Sequence, residues 1–165
     1  MKKIVQEGDP VLRKKAEPVD PKDINTDAFR SLLKEMHESL KTKEHGVALA
    51  APQIGVSKRV FVVSPTVFEE DKRDTAHLVY INPEITKLSK KRTAMEEGCL
   101  SVEGRYGTTK RAEKATIHAL DEDGQPFTVG ASGLLAQIFQ HETDHLNGVL
   151  YVDHASETYE IEEDH

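Results

Sequence analysis

Apolar positions along the chain fall into two helical stripes separated by several short runs. Phe29, Leu32, Leu33, Met36 and Leu40 recur at the three- and four-residue spacing of one helix face. Their helix should open near Asn25-Thr26, where a short polar side chain can cap it, and Gly46 offers a stop. A second helix should cover about residues 132–147, closed by Gly148. One of its stripes carries Leu134, Ile138, His141 and His145; the adjoining one carries Leu135, Phe139, Glu142 and Leu146. Polar side chains on a stripe that must face the core are the anomaly of this sequence. Between the helices, strands are expected at residues 59–63, 77–82, 85–88 and 116–120, with Pro65 and Pro83 ending the first two. Asp121-Glu122-Asp123-Gly124 reads as a turn, joining 116–120 to a partner strand at 126–129. Asp9-Pro10 reads as a cap and first residue of a short helical turn. Strands flanked by an early and a late helix argue for an α+β fold.

Composition narrows the class without naming a function. The 165 residues suit one domain with one core, and 37% hydrophobic with 31% charged residues is an ordinary globular balance. The formal charge of −7 is carried wholly by residues beyond 100, since the first two thirds are close to neutral. A basic face for nucleic acid or membrane is therefore not expected, because phosphate contacts need clustered Lys and Arg. Residues 1–153 are expected to form the single domain. Residues 154–165 are expected to be an acidic tail, mobile where five acids surround one isoleucine. No apolar run approaches a membrane span, and the first residues do not resemble a signal segment. Cys99 is the only cysteine, which excludes an intramolecular disulfide and makes a cytoplasmic protein the default.

Candidate chemistry begins on the second helix. His141-Glu142-Thr143-Asp144-His145 is an H-E-x-x-H segment, so both imidazoles stand on one face, one turn apart. Such a pair can reach one metal, with the intervening Glu142 placed to handle the proton of a metal-bound water. A catalytic metal needs a third protein ligand, for which Cys99, Glu97, Glu96 or another histidine are candidates. Cys99 lies in the polar, glycine-containing stretch Glu96-Glu97-Gly98-Cys99-Leu100-Ser101, unlike the run around a buried structural cysteine. A third cluster, residues 46–53, is rich in small residues that permit close backbone approach. It ends in Gln53, whose amide could meet a developing oxyanion.

Taken together and in this chain order, residues 46–53 (GVALAAPQ), 97–101 (EGCLS) and 140–145 (QHETDH) resemble the three motifs of the peptide deformylase family. The resemblance extends over most of residues 1–153, including Gly8-Asp9-Pro10-Val11-Leu12 and Arg111-Ala112-Glu113-Lys114. It implies antiparallel and mixed strands packed around a central metal-binding helix, with an N-terminal helix ahead of them. Cys99, His141 and His145 would bind one divalent metal, usually ferrous iron, with zinc, nickel or cobalt able to take its place. Glu142 would serve as general base and then general acid, while Gln53 and the Leu100 N–H would stabilise the oxyanion. The backbones of Gly46, Val47, Ala48 and Gly98 would hold the substrate as an added strand. Glu97 would pair with Arg111 and brace the loop bearing Cys99. The implied reaction is removal of the N-formyl group from the formylmethionine of nascent polypeptides.

Three positions depart from the family pattern. Ala48 replaces a glycine, so a positive φ there would be strained, whereas a negative φ would only let its methyl narrow the cleft. Glu103 stands where members often have proline. The acidic end of the sequence does not resemble the basic C-terminal helix by which some members dock on the ribosome, so any ribosome contact is expected elsewhere. Rival readings are another metal amidase or peptidase on the same helix motif, a non-catalytic binder of N-terminal peptides, and a purely structural metal site.

Overall fold

The computed structural model describes residues 3–69 and 77–160. Helix α1, Asp27–Lys41, opens where the Thr26 hydroxyl accepts the Phe29 N–H at 3.2 Å. It ends at Lys41, ahead of the stop expected at Gly46, where the Thr42 hydroxyl donates to the Ser39 carbonyl at 2.7 Å. Eight strands follow in chain order: β1 Ala48–Ala50, β2 Val60–Val63, β3 Val79–Leu88, β4 Arg92–Cys99, β5 Val102–Ala112, β6 Lys114–Leu120, β7 Pro126–Ser132 and β8 Glu157–Glu160. Helix α2, Gly133–Leu146, lies between β7 and β8.

The strands form a five-stranded sheet in the order β1-β2-β3-β6-β7 and a three-stranded sheet in the order β4-β5-β8. Every pairing between named strands is antiparallel; an isolated bridge between Glu17 and Lys58 is parallel. The four consecutive apolar residues of β2 are all buried because the large sheet is covered on both faces at this strand. Val60 and Val62, with Leu49 and Ile81, pack against Phe29, Leu33, Met36 and Leu40 of α1. Phe61 and Val63, with Ala48, Ala50, Tyr80 and Ile117, pack against Leu135, Ile138, Phe139 and Leu146 of α2. Phe61 and Tyr80 are cross-strand partners whose rings stack at 4.6 Å. Helix α2 thus sits against β1, β3, β5, β6 and β7 at the centre of the molecule. Its C-terminus closes through bonds from Gly148 N to His145 O and from Val149 N to Asp144 O, with Gly148 at φ 78°.

Several sequence expectations are corrected. Residues 79–82 and 85–88 are one strand, β3, that continues through Pro83 by means of a register shift between Ile81 and Glu84. Asn82 adopts φ 50° there, and its side chain exchanges two 2.8 Å hydrogen bonds with the Val19 backbone. Strands β4 and β5 form a long hairpin that the apolar pattern missed: their exposed faces carry Thr, Lys, Arg and Glu, and their stability comes from the backbone ladder. The segment expected to be a mobile tail contributes β8, which pairs with Arg105–Thr108 of β5. The remaining tail residues, 161–165, lie outside the described residues.

Candidate metal centre

His141 and His145 stand one turn apart on the face of α2 turned toward β4, with their Nε2 atoms 3.1 Å apart. Cys99, the last residue of β4, brings its Sγ to 3.1 Å from His145 Nε2. The three ligand atoms lie within 4.8 Å of one another. His141 Nδ1 meets Glu97 Oε1 at 2.5 Å, an arrangement that leaves Nε2 turned into the cluster. Glu97 also accepts the Thr109 hydroxyl and two guanidinium N–H groups of Arg111, at 3.0 and 2.6 Å. Arg111 reaches on to Asp144 Oδ2 at 2.7 Å and so ties β5 to α2 behind the histidines.

Gln53 projects from the short helical turn Ala51–Ile54. Its Oε1 accepts the Ala50 N–H at 2.9 Å, and its Nε2 donates to Ser101 Oγ at 3.1 Å, only 3.6 Å from Cys99 Sγ. The N-terminal segment braces the same region: Val5 N donates to Gln53 O, Glu7 N to Ser101 O, and Gln6 Nε2 to Leu100 O at 2.9 Å.

Burial dominates the electrostatics here. It pushes the Glu142 carboxyl up to about 7, against the opposing charge of His141. It holds His145 well below its ordinary value. Burial would also lower His141 and raise Glu97, but the hydrogen bonds around these two groups outweigh it. The contacts of His141 with Cys99 and Glu97 hold its imidazole well above its usual value, and those of Glu97 with His141 and Arg111 hold its carboxyl well below the carboxylate range. One thiol and two imidazole nitrogens thus converge next to a buried Glu142 Oε2 that has no hydrogen-bond partner. These residues fit a divalent cation with an open position beside a proton acceptor.

A cleft of about 740 Å³ opens onto the cluster. Residues 42–48 form one wall, β4 and the β4–β5 hairpin the other, and Leu134, Ile138, His141 and Glu142 of α2 the floor. Gly46, Val47, Ala48, Gln53, Glu97, Gly98, Cys99 and Leu100 all line it, while His145 lies deeper and Arg111 behind. A Cβ on Gly46 would come to 2.9 Å from Leu40 Cδ1, and one on Gly98 to 2.7 Å from the Tyr106 ring. Ala48 is unstrained, because Asn82 is the only non-glycine with positive φ among the described residues. Ala48 is buried at the edge of the cleft, within the core cluster of Phe61 and Ile138. Glu103 accepts an ion pair from Lys43 across the mouth at 3.3 Å.

Sequence reasoning missed Asp144, Thr109, Gln6 and Tyr106. Asp144 lay inside the helix motif and could have been found as a second partner for Arg111. The others are brought in by pairing of distant segments, for which a single sequence carries no local signal.

Comparison with known proteins agrees with this geometry. Residues 1–160 match the family described as polypeptide deformylase. The chain is 48% identical to peptide deformylase 1 of Clostridium perfringens over 147 residues, 88% of this chain and 92% of that one. It superposes on a peptide deformylase from Legionella pneumophila with a TM-score of 0.83 and 42% identity, covering 94% of this chain and 86% of the other. A class I type b peptide deformylase from Acinetobacter baumannii, solved with Met-Ala-Ser bound, superposes with a TM-score of 0.83 at 35% identity, covering 93% and 98%.

Proposed function

The chain belongs to the polypeptide deformylase family and is a hydrolase that removes the N-formyl group from nascent polypeptides, and we propose that Cys99, His141 and His145 hold the divalent metal this activity depends on. The observation that carries the reading is the convergence of Cys99 Sγ with the two Nε2 atoms on the floor of the cleft. When bound, the metal supplies the Lewis acidity that activates water and polarises the formyl carbonyl. Thiolate and imidazole donors suit ferrous iron, the metal we favour, and also zinc, nickel or cobalt.

A formamide is a stable amide, so its hydrolysis needs a base for the attacking water, donors for the oxyanion and a proton for the departing amine. Glu142 serves the first and last demands in turn: its carboxylate takes the water proton and returns it to the amine nitrogen. Burial that raises this carboxyl toward neutrality favours both directions of that transfer. Gln53 Nε2 and the Leu100 backbone N–H donate to the oxyanion. Gln53 is held for the task through its own Oε1. Glu97 and Arg111 keep His141 in the tautomer that offers Nε2.

Topology supports the mode of substrate binding. Within the described residues, β1 and β4 are terminal strands of their sheets and face each other across the cleft. A peptide laid between them adds a strand, using the backbones of Gly46, Val47, Ala48 and Gly98. The methionine side chain then enters the apolar recess beside Ile138 and His141. Action on formylated nascent chains is consistent with a cytoplasmic protein. Among the described residues, no helix is long and apolar enough to cross a membrane.

The test is deformylation of formyl-Met, acetyl-Met and internally blocked peptides by anaerobically purified iron protein, with Cys99→Ser as control. Fast release from the formyl peptide alone, lost together with iron in the variant, is expected. Comparable acetyl release or internal cleavage would identify a broader amidase, and full activity of an iron-free Cys99→Ser would remove Cys99 from the site.

A further inference from the structure

Strand β8 reaches the substrate cleft through one residue. In the three-stranded sheet Gly98 pairs with Tyr106, and Tyr106 pairs with Tyr159. The Tyr106 ring lies so close over Gly98 that any Cβ there would collide with it, and it stacks on the Tyr159 ring at 6.1 Å and 25°. The Tyr159 hydroxyl donates to Glu96 Oε1 at 3.0 Å, two residues before Gly98 on the same face of β4. The Glu96 carbonyl accepts from Gln137 of α2, also at 3.0 Å. Glu96, Gly98 and Tyr106 all line the cleft, whereas Tyr159 touches it only through them.

We infer that Tyr159 is a positioning residue for substrate: it fixes the carboxylate end of Glu96 and the ring of Tyr106, and thereby the Gly98 edge on which the peptide lies. The 157–160 strand is then part of the cleft wall. The inference rests on the reading that Gly98 pairs with the peptide backbone. A substrate that extends along β4 depends on this edge, while formyl-methionine alone, held at the metal and in the apolar recess, does not.

Two variants of the metal-loaded full chain test it, Tyr159→Phe, which removes only the hydroxyl, and Tyr159→Ala, which removes the ring as well. Each is assayed on a formyl-Met tripeptide and on formyl-methionine. For the tripeptide, KM should rise about threefold in Tyr159→Phe and about tenfold in Tyr159→Ala, with kcat within twofold of the parent. KM for formyl-methionine should not change. A purely structural role would lower kcat on both substrates alike, and that result, or an unchanged tripeptide KM in both variants, would overturn the assignment. If Tyr159→Ala does not fold, Tyr159→Phe decides alone. The underlying reading fails separately: equal KM values for the two substrates in the parent enzyme would show that the peptide gains nothing from β4.

Discussion

Glu142 is 2% exposed and keeps one carboxylate oxygen without a partner, a costly state for an ionisable group inside a protein. In the proposed mechanism this group carries the proton, while the neighbouring helix positions hold Leu135, Phe139 and Leu146 in the core. Replacing Glu142 by Gln keeps the shape and removes the proton carrier. We expect kcat to fall by about 10²–10⁴-fold, the usual worth of a positioned acid–base group. Metal content and Tm should stay close to the parent values, because Glu142 is not among the three converging ligand residues. Steady-state kinetics with metal analysis checks this, and a variant within tenfold of the parent would remove Glu142 from proton transfer. At this scale the sequence was most readable. His141, Glu142, His145 and Cys99 each stood out as a residue type at odds with its surroundings, and the structure gathers all four. What could not be read was how Thr109 of β5, and Asp144 of the helix motif itself, complete the Glu97–Arg111 brace that orients these groups.

At the level of elements, Arg111 is the pin between β5 and α2. Its guanidinium is almost fully enclosed between the Glu97 and Asp144 carboxylates. Arg111→Ala takes the guanidinium from a buried Glu97, which keeps only Thr109 and His141 as partners, at a cost of about 3–5 kcal/mol. Denaturant unfolding should record a loss of that size, and a loss under 1 kcal/mol would mean that water takes over the partnership. A weaker clasp joins the turn at Pro10–Arg13 to the turn at Tyr151–Asp153, where Arg13 Nη1 and Nη2 donate to Asp153 at 2.6 and 3.2 Å. The Arg13 hydrogen bond holds the Asp153 carboxyl below its usual value. A depressed carboxyl stabilises the fold above its unfolded pKa, near 3.9, and loses that contribution as pH falls through the folded value. Both partners are solvent-accessible, so Arg13→Ala should cost only about 0.2–1 kcal/mol at pH 7. The stability gap between parent and variant should close below about pH 4; a gap equally wide at pH 3 would rule out the ion pair as its source. The two helices were legible because their apolar stripes and caps are local. The β4–β5 hairpin was not, because its polar faces carry no alternation and its ladder is a matter of pairing.

For the whole molecule, the three proposed metal ligands bridge two layers. Cys99 belongs to the small sheet, while His141 and His145 belong to the helix packed on the large one. An ion bound by all three is a cross-link between those layers, and it stabilises the folded state by mass action. Chelation should lower Tm and speed amide hydrogen exchange in β4 and β5 more than in β2 and the buried Val79–Ile81 part of β3. Uniform acceleration across all four strands would show that the layers do not separate independently. The overall class, α+β, followed from the order of helical and strand patterns, whereas the central place of the second helix was an implication of the family resemblance. The division into two sheets followed from neither, because sheet membership depends on which edges meet.

The brace from the N-terminal segment also bears on time. Gln6 and Leu100 are 94 positions apart, and their hydrogen bond secures the turn that follows Cys99. During synthesis the beginning of this chain waits for a partner that does not yet exist, and the second histidine arrives later still. Contacts so distant in sequence form slowly compared with the local ones that make a helix. A complete ligand set is therefore among the last things the chain acquires. Metal uptake through the proposed ligands should therefore come late in the folding of a protein that itself acts on newly made chains.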